Sequence, residues 1–449
     1  MQFKRLFIYF KKNSLLSFLL ILVFFIGLTF SYIISDSQSK FTLKVKSLVS
    51  KDVRIFLKNS INFYLYNFDI KMSFENERII DSFKGRSYSI REYNNKLLDY
   101  QGPRAYLENY EENIFLVTGT GLISFSASNN FFKNKNLKLK NIPSNIKDII
   151  KYDEFFVDSR YTTKGVLIDN NYFYISIINK IENDCFTLSI IKSKLNLDFL
   201  NFSYLFNSNQ CVKKNNLYGE FQPIQSGGMI KNFDNEYLLL TTGEFRYRDH
   251  AQENDSIFGK LLLINKITGE FKIVSKGHRN SQGIYYDRKN KVIVATEHGP
   301  FGGDEINIIN DFDSIQNYGW PISSYGEHYP RNSSQEFYDK APLKKSHSEF
   351  GFVEPIKYFV PSIGITQIVK KNDNIENNNY FFSSMGYEDR ENSLSIHQII
   401  FDNEYKSIIY EDKIKINNRV RDLLYLKNKK KLFGFLEKKG SIIVLDLNE

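Results

Sequence analysis

The stretch 277-GHRNSQGIYYDRKNKVIVATEHGPFGGDEINIINDFDSIQNYGW-320 decides how the rest of the chain is read. Its centre is a hairpin: Gly283–Tyr286 and Lys291–Thr296 are strand-like runs, turned by Asp287-Arg288-Lys289-Asn290. Two polar loops bracket it, Gly277-His278-Arg279-Asn280 before and Glu297-His298-Gly299-Pro300 after. No other part of the chain gathers as many chemically demanding side chains in so short a span.

The same signal recurs outward from this stretch. Hairpin-like units begin at Asn113, Gly165 and Met229 on its N-terminal side, and at Ile365 and Val420 on its C-terminal side. Most continue into further strands, such as Lys260–Asn265 and Glu270–Val274. Six repeats of up to four strands predict an all-β fold, a six-bladed β-propeller, rather than a sandwich. The last unit ends one strand short at Ile442–Leu447, and Ser87–Arg91 is the candidate that completes it. In a propeller the inner loops of all blades converge at the mouth of the channel, so distant residues can share one site.

The N-terminus differs in kind. Residues 14–35, SLLSFLLILVFFIGLTFSYIIS, run for 22 positions without a charge. A helix of about 20 apolar residues spans the hydrocarbon core of a bilayer. Lys4, Arg5, Lys11 and Lys12 precede it, which keeps the short tail cytoplasmic. The run lacks an A-x-A-like cleavage site, so it reads as an uncleaved anchor. The expected organisation is a cytoplasmic tail at 1–13, a transmembrane helix at 14–35, a stalk or accessory segment at 36–90, and an extracytoplasmic (periplasmic) propeller at 91–449. Cys185 and Cys211 both fall in the exported part, where a disulfide and two buried thiols are equally open readings.

Composition bounds the partners. The net charge is +9 with charged residues at 25%, yet no basic block is concentrated on one face. Nucleic-acid binding is therefore not expected. Arg279, with Asn280 beside it, and the pair in Asn417-Asn418-Arg419-Val420-Arg421-Asp422 supply three guanidiniums. Alternation places Arg419 and Arg421 on one face of a strand. Arginine forks bind carboxylates or phosphates, so convergence of these loops would make a polyanion site; ordinary pairing with Asp422 or Asp287 is the alternative. Gly299-Pro300 and Gly302-Gly303-Asp304-Glu305 offer carbonyl and carboxylate oxygens of the kind that suit calcium. His278 and His298 lack metal-pair spacing.

GHRNSQG, TEHGPFGGDEINII, NYGWPISSYG and NNRVRD resemble motifs of the glucose/sorbosone dehydrogenase family, which includes soluble quinoprotein glucose dehydrogenase and aldose sugar dehydrogenases. The resemblance covers roughly residues 91–449 and implies a six-bladed propeller. It further implies pyrroloquinoline quinone (PQQ) and calcium as cofactors, with oxidation of a sugar or related alcohol by hydride transfer to the quinone. By position, Arg279, Asn280, Arg419 and Arg421 match cofactor contacts, and the carbonyls of Gly299 and Pro300 match calcium ligands. Two departures stand out. The family's general-base His falls at Ile224, or at Gln225 on a shifted register, and neither side chain accepts a proton. A cofactor-contacting lysine is expected near Ser384-Met385-Gly386, where there is none. His250, in the loop Glu244–Asp255, is a candidate substitute base. The resulting expectations are a membrane-anchored quinoprotein sugar dehydrogenase, or a catalytically degenerate propeller that binds a ligand or a protein.

Overall fold

Apolar runs that are buried along their whole length alternate with strands that show a wet face, and this contrast orders the architecture. Val292–Glu297 and Ile365–Lys370 are buried at every position, whereas Ile408–Lys415 alternates exposed and covered side chains. Continuous burial marks strands covered on both faces, and alternation marks strands at a sheet's outer edge. The computed structural model describes residues 69–95, 104–150, 162–182, 184–215, 221–330, 334–371, 378–388, 390–437 and 439–447, with a few positions between 44 and 53. The chain divides into two bodies, Met1–Leu65 and Tyr66–Glu449, and the second carries the sheets.

Six antiparallel four-stranded modules follow one another. The first is Ala105–Tyr110, Asn113–Thr118, Ile123–Ala127 and Asn136–Asn141; the second is Thr163–Asp169, Tyr172–Glu182, Cys185–Lys194 and Ser203–Asn207. The third is Gly227–Asn232, Tyr237–Thr242, Lys260–Asn265 and Phe271–Lys276; the fourth is Ser281–Asp287, Val292–Glu297, Asp304–Ile309 and Lys357–Phe359. The fifth is Ile365–Lys370, Asn378–Ser384, Ser395–Phe401 and Ile408–Lys415. The sixth takes Val420–Leu426, Lys431–Leu436 and Ser441–Asp446, and then Ser87–Asn94 from the far N-terminal side. First strands touch in sequence from module to module, and the first strand of the sixth module touches that of the first. The circuit is the arrangement of a β-propeller-like fold.

Two features were misplaced or missed by sequence reading. The hairpin beginning at Asn113 holds the second and third strands of its module; the first, Ala105–Tyr110, carries Glu108 and Asn109 in a short run and gives a weak apolar signal. Ile70–Asp81, within the segment assigned to a stalk, is a strand. It pairs with both Ser87–Asn94 and Asn136–Asn141, joining the sixth and first modules into one nine-stranded sheet. Its alternation of apolar and charged side chains, with one face exposed, reads like a polar spacer unless its partners are known. Residues 14–35 and nearly all of 36–68 lie outside the described residues. Among those described, no helix is long and apolar enough to cross a membrane.

Turn chemistry explains the tight connections. Asn170 and Asn171 both take positive φ, 47° and 63°, between the first two strands of the second module. That is the two-residue hairpin geometry that asparagine tolerates. In the same module Cys185 and Cys211 are joined by a disulfide, tying the third strand to the segment entering Val212–Lys213, which pairs with it. Replacing both cysteines by serine should cost about 3 kcal/mol of stability, since the bridge closes a loop of moderate length. Denaturant unfolding with and without the bridge measures this; unchanged stability would contradict it.

Candidate active site at the mouth of the strand circuit

The loops that precede first strands and follow second strands meet at one end of the circuit. One buried carboxylate organises the fourth module's share. Glu297 accepts from the His278 imidazole Nδ1 at 2.8 Å, from Ser281 Oγ at 3.1 Å, and from the Arg279 backbone N–H. Burial pushes its carboxyl upward, but the His278 charge and these hydrogen bonds outweigh burial and hold it below the usual range. His278 is fixed in turn by Ser275 Oγ at 2.8 Å and by stacking on Tyr318. The loops on either side of the opening hairpin are thus locked together, and the lock aims the Arg279 guanidinium.

That guanidinium donates to the carbonyls of His298 (2.9 Å) and Gly299 (2.6 Å) and lies 5.2 Å from the Trp320 ring centre. Its other terminal nitrogen reaches Gln225. The Gln225 amide, turned so that its nitrogen meets Glu244 at 2.9 Å, offers its oxygen to Arg279 at 3.0 Å and to Arg246 at 3.1 Å. Ile224 beside it is half-buried. Gln225, Glu244, Arg246, Arg248, Arg279, Pro300, Trp320 and Tyr329 all line one crevice, with His328 and Phe337 beyond. Arg248 stands 4.0 Å over Phe337, and Arg246 lies 6.0 Å from the Tyr329 ring.

The other predicted residues join by a hydrogen-bonded chain. Asn280 Oδ1 accepts from Gly227 N at 3.2 Å and from Gln282 Nε2 at 2.9 Å. Gln282 Oε1 accepts from Arg421 at 3.1 Å. Arg421, with its side chain 3% exposed, grips Glu437 through Nε and a terminal nitrogen at 3.0 and 2.6 Å. Arg419 reaches the same carboxylate at 3.6 Å and donates to the Met385 carbonyl. The two arginines therefore share a face, and their counter-charge is Glu437 rather than Asp422 or Asp287. Asp422 instead accepts from Leu107 N at 2.6 Å and is pushed up to about 7 by burial. Asp287 pairs with Lys370 at 2.6 Å. Where a lysine was expected near Met385, the guanidinium of Arg419 stands.

The oxygens assigned to calcium are engaged otherwise. Gly299 O accepts from Arg279, and Pro300 O accepts from Tyr329 at 3.4 Å. Asp304 spends both oxygens on backbone N–H groups of Gly299, Gly364 and Ile365. Among the described residues no cluster of His, Cys, Asp or Glu is placed to hold a metal ion. A guanidinium on the Gly299 carbonyl supplies the positive charge that a cation would bring, so this arrangement does not fit calcium at that oxygen.

His250 is not brought to the site. It pairs with Glu253 at 2.6 Å, stacks on Tyr247, and is absent from the crevice lining. His298 is central, and burial holds its imidazole down to about 4, so it is neutral at pH 7. Arg246 and Arg248 were missed by sequence reading, although Arg-Tyr-Arg repeats the alternation of Arg419-Val420-Arg421. Trp320 and Tyr329 carry no such signal.

The fold is propeller-like, with guanidiniums and aromatic rings gathered at one end of the strand circuit. The Glucose / Sorbosone dehydrogenase family model matches residues 167–443, and the chain belongs to that family. It is 33% identical over 197 residues to an uncharacterized protein of Synechocystis, covering 40% of this chain and 43% of the relative. It is 30% identical over 153 residues to an aldose sugar dehydrogenase of Escherichia coli, covering 31% of this chain and 38% of the relative. These matches thus take in less than half the length of either relative. Among solved structures, the apo form of the soluble aldose sugar dehydrogenase of Escherichia coli superposes with TM-score 0.57 at 16% identity, covering 83% of this chain and 99% of that one. The holo form of a pyranose dehydrogenase PQQ domain from Coprinopsis cinerea gives 0.51 at 10% identity, with 76% and 92% covered. Both likenesses are likenesses of fold.

Two consequences follow for Glu437. Burial raises its carboxyl, but Arg421, Arg419 and Arg104 pull it down to about 2. A depressed folded pKa stabilises fully above the ordinary 4.5 and loses that contribution as pH falls toward 2. An acid-unfolding series should show this limb in the wild type and lack it in Glu437→Gln. At pH 7 the same substitution should cost about 3–5 kcal/mol, because it leaves buried Arg421 without counter-charge. A variant as stable as wild type by urea titration would contradict the pairing.

Proposed function

We propose that the chain is a membrane-anchored, extracytoplasmic quinoprotein sugar dehydrogenase-like protein built on a six-bladed propeller, with PQQ held at the channel mouth. The observation that carries this reading is the crevice where Arg246, Arg248 and Arg279 lie against Trp320, Tyr329 and Phe337. Aromatic rings favour a flat ligand, and guanidiniums favour carboxylates; PQQ is a planar molecule with three of them. The donor set fits for a second reason: Arg279 Nε and Trp320 Nε1 are buried without hydrogen-bond partners, and such donors are costly unless a ligand meets them. Arg279 and Arg419 are the proposed direct contacts, Arg419 being 29% exposed. Asn280 and Arg421, already bonded on several sides, position them. Calcium at Gly299 and Pro300 is given no part.

When bound, the quinone supplies the hydride acceptor for a sugar hydroxyl carbon. The protein's share is to orient the hydroxyl and take its proton. The base is expected at Ile224, or at Gln225 on a shifted register, and Gln225 is clamped by Glu244, Arg246 and Arg279; without a base there, proton transfer is slower by about 10²–10⁴. That clamp favours a second reading, a propeller that binds its ligand without turnover. The apolar run 14–35 supports the anchor, and the Cys185–Cys211 disulfide suits an oxidising compartment.

Titration of the detergent-solubilised chain with PQQ, followed by dye reduction across an aldose panel, tests the reading. Binding is expected to persist in excess EGTA, because no step relies on calcium. Gln225→His should raise turnover by about 10²-fold or more. Binding with no turnover in wild type or variant supports the binding module. Failure of PQQ to bind, with EGTA or with added calcium, sinks the cofactor assignment.

A further inference from the structure

Lys164 lies in the first strand of the second module, is 1% exposed, and its Nζ has no hydrogen-bond partner. Other buried lysines in this fold behave differently. Lys260 rests on the carbonyls of His250, Ala251 and Phe258 at 2.6, 3.1 and 2.7 Å. Lys266 meets Asp169, Asn232 and the Asp234 carbonyl, and Lys370 meets Asp287. A fold that satisfies those three has left Lys164 bare.

The charges that act on it make the contrast sharper. Arg104, just before the first strand of the first module, and Arg421, in that of the sixth, both repel its charge. Burial first, and then these guanidiniums, hold the amine well below its ordinary value. Glu437, the carboxylate that pairs with Arg421, is already gripped by that guanidinium through two nitrogens. From the third module Gly228 faces it: the Lys164 stem crosses this glycine, where an added Cβ would come within 2.2 Å of the Lys164 Cβ. Gly165 clears the same crossing, since its Cβ would meet Gly228 O at 2.3 Å. The two glycines make room for a side chain that gains nothing from the protein around it. Breaches of this kind concentrate at functional positions.

We propose that Lys164 forms an anion contact beside the Arg421–Glu437 pair and Arg104, meeting one carboxylate of the bound ligand and taking up a proton as it does so. The step is an amine plus a solvent proton giving an ammonium ion; the anion supplies the counter-charge that the folded protein withholds. Lys164 would thus stand, from another strand, for the lysine absent near Ser384–Gly386. The inference rests on the polyanion reading of the channel mouth.

The test is isothermal titration of the full chain in detergent with PQQ at pH 8, in HEPES and in Tris, whose ionisation enthalpies differ. Wild type should take up protons as PQQ binds, the linkage expected of an amine charged on binding. Lys164→Met should lose that uptake, bind at least about ten-fold more weakly, and melt at a higher temperature than wild type, because an unpartnered buried amine is gone. Equal affinity and equal proton count in the two proteins would overturn the inference and leave the cofactor reading standing. A Lys164→Met protein that melts lower would also overturn it, since the amine would then have a partner within the fold. No binding of PQQ by wild type would remove the cofactor reading, and this inference with it.

Discussion

The carboxylate of Glu437 is the fixed point of the site. It holds Arg421 at 2.6 Å and Arg419 at 3.6 Å, and through Arg421 it reaches Gln282, Asn280 and the backbone of Gly227. Buried guanidiniums repel one another and resist desolvation. A single buried acid placed between two of them lets the sixth, fourth and third modules meet without bursting apart. It neutralises only part of the positive charge gathered there.

Much of the fold was legible because propeller-like modules write themselves as repeated hairpins. Five of the six hairpins match first and second strands, and the closing strand near Ser87 pairs where expected. Ala105–Tyr110 escaped because Glu108 and Asn109 interrupt its apolar run. Ile70–Asp81 escaped because alternating charges look like a spacer until the neighbouring edges that pair with it are known. Such edges are tertiary facts that no local pattern carries.

The site divides along a similar line. Arg279, Asn280, Arg419 and Arg421 could be named from residue type and motif, and they do come together. Their partners could not: Glu437 lies sixteen positions past Arg421 with no motif around it. The calcium oxygens were read as free because sequence does not show that Arg279 folds back onto Gly299. Lys164 was invisible for a different reason. A lysine in a strand looks like a solvated face, and only the crossing over Gly228 reveals a buried amine. The Ile224-Gln225 pair stands out both ways, as two side chains that cannot serve as the expected base and, at Gln225, as a clamp between Glu244 and two arginines in the fold.

A crystal structure of the protein grown with PQQ tests the central claim most directly. The account predicts the ligand against Trp320, with its carboxylates on Arg279 and Arg419 and with the Arg421–Glu437 pair intact. A ligand seated elsewhere, or a crevice with Arg279 still closed on Gly299 at saturating PQQ, would contradict it.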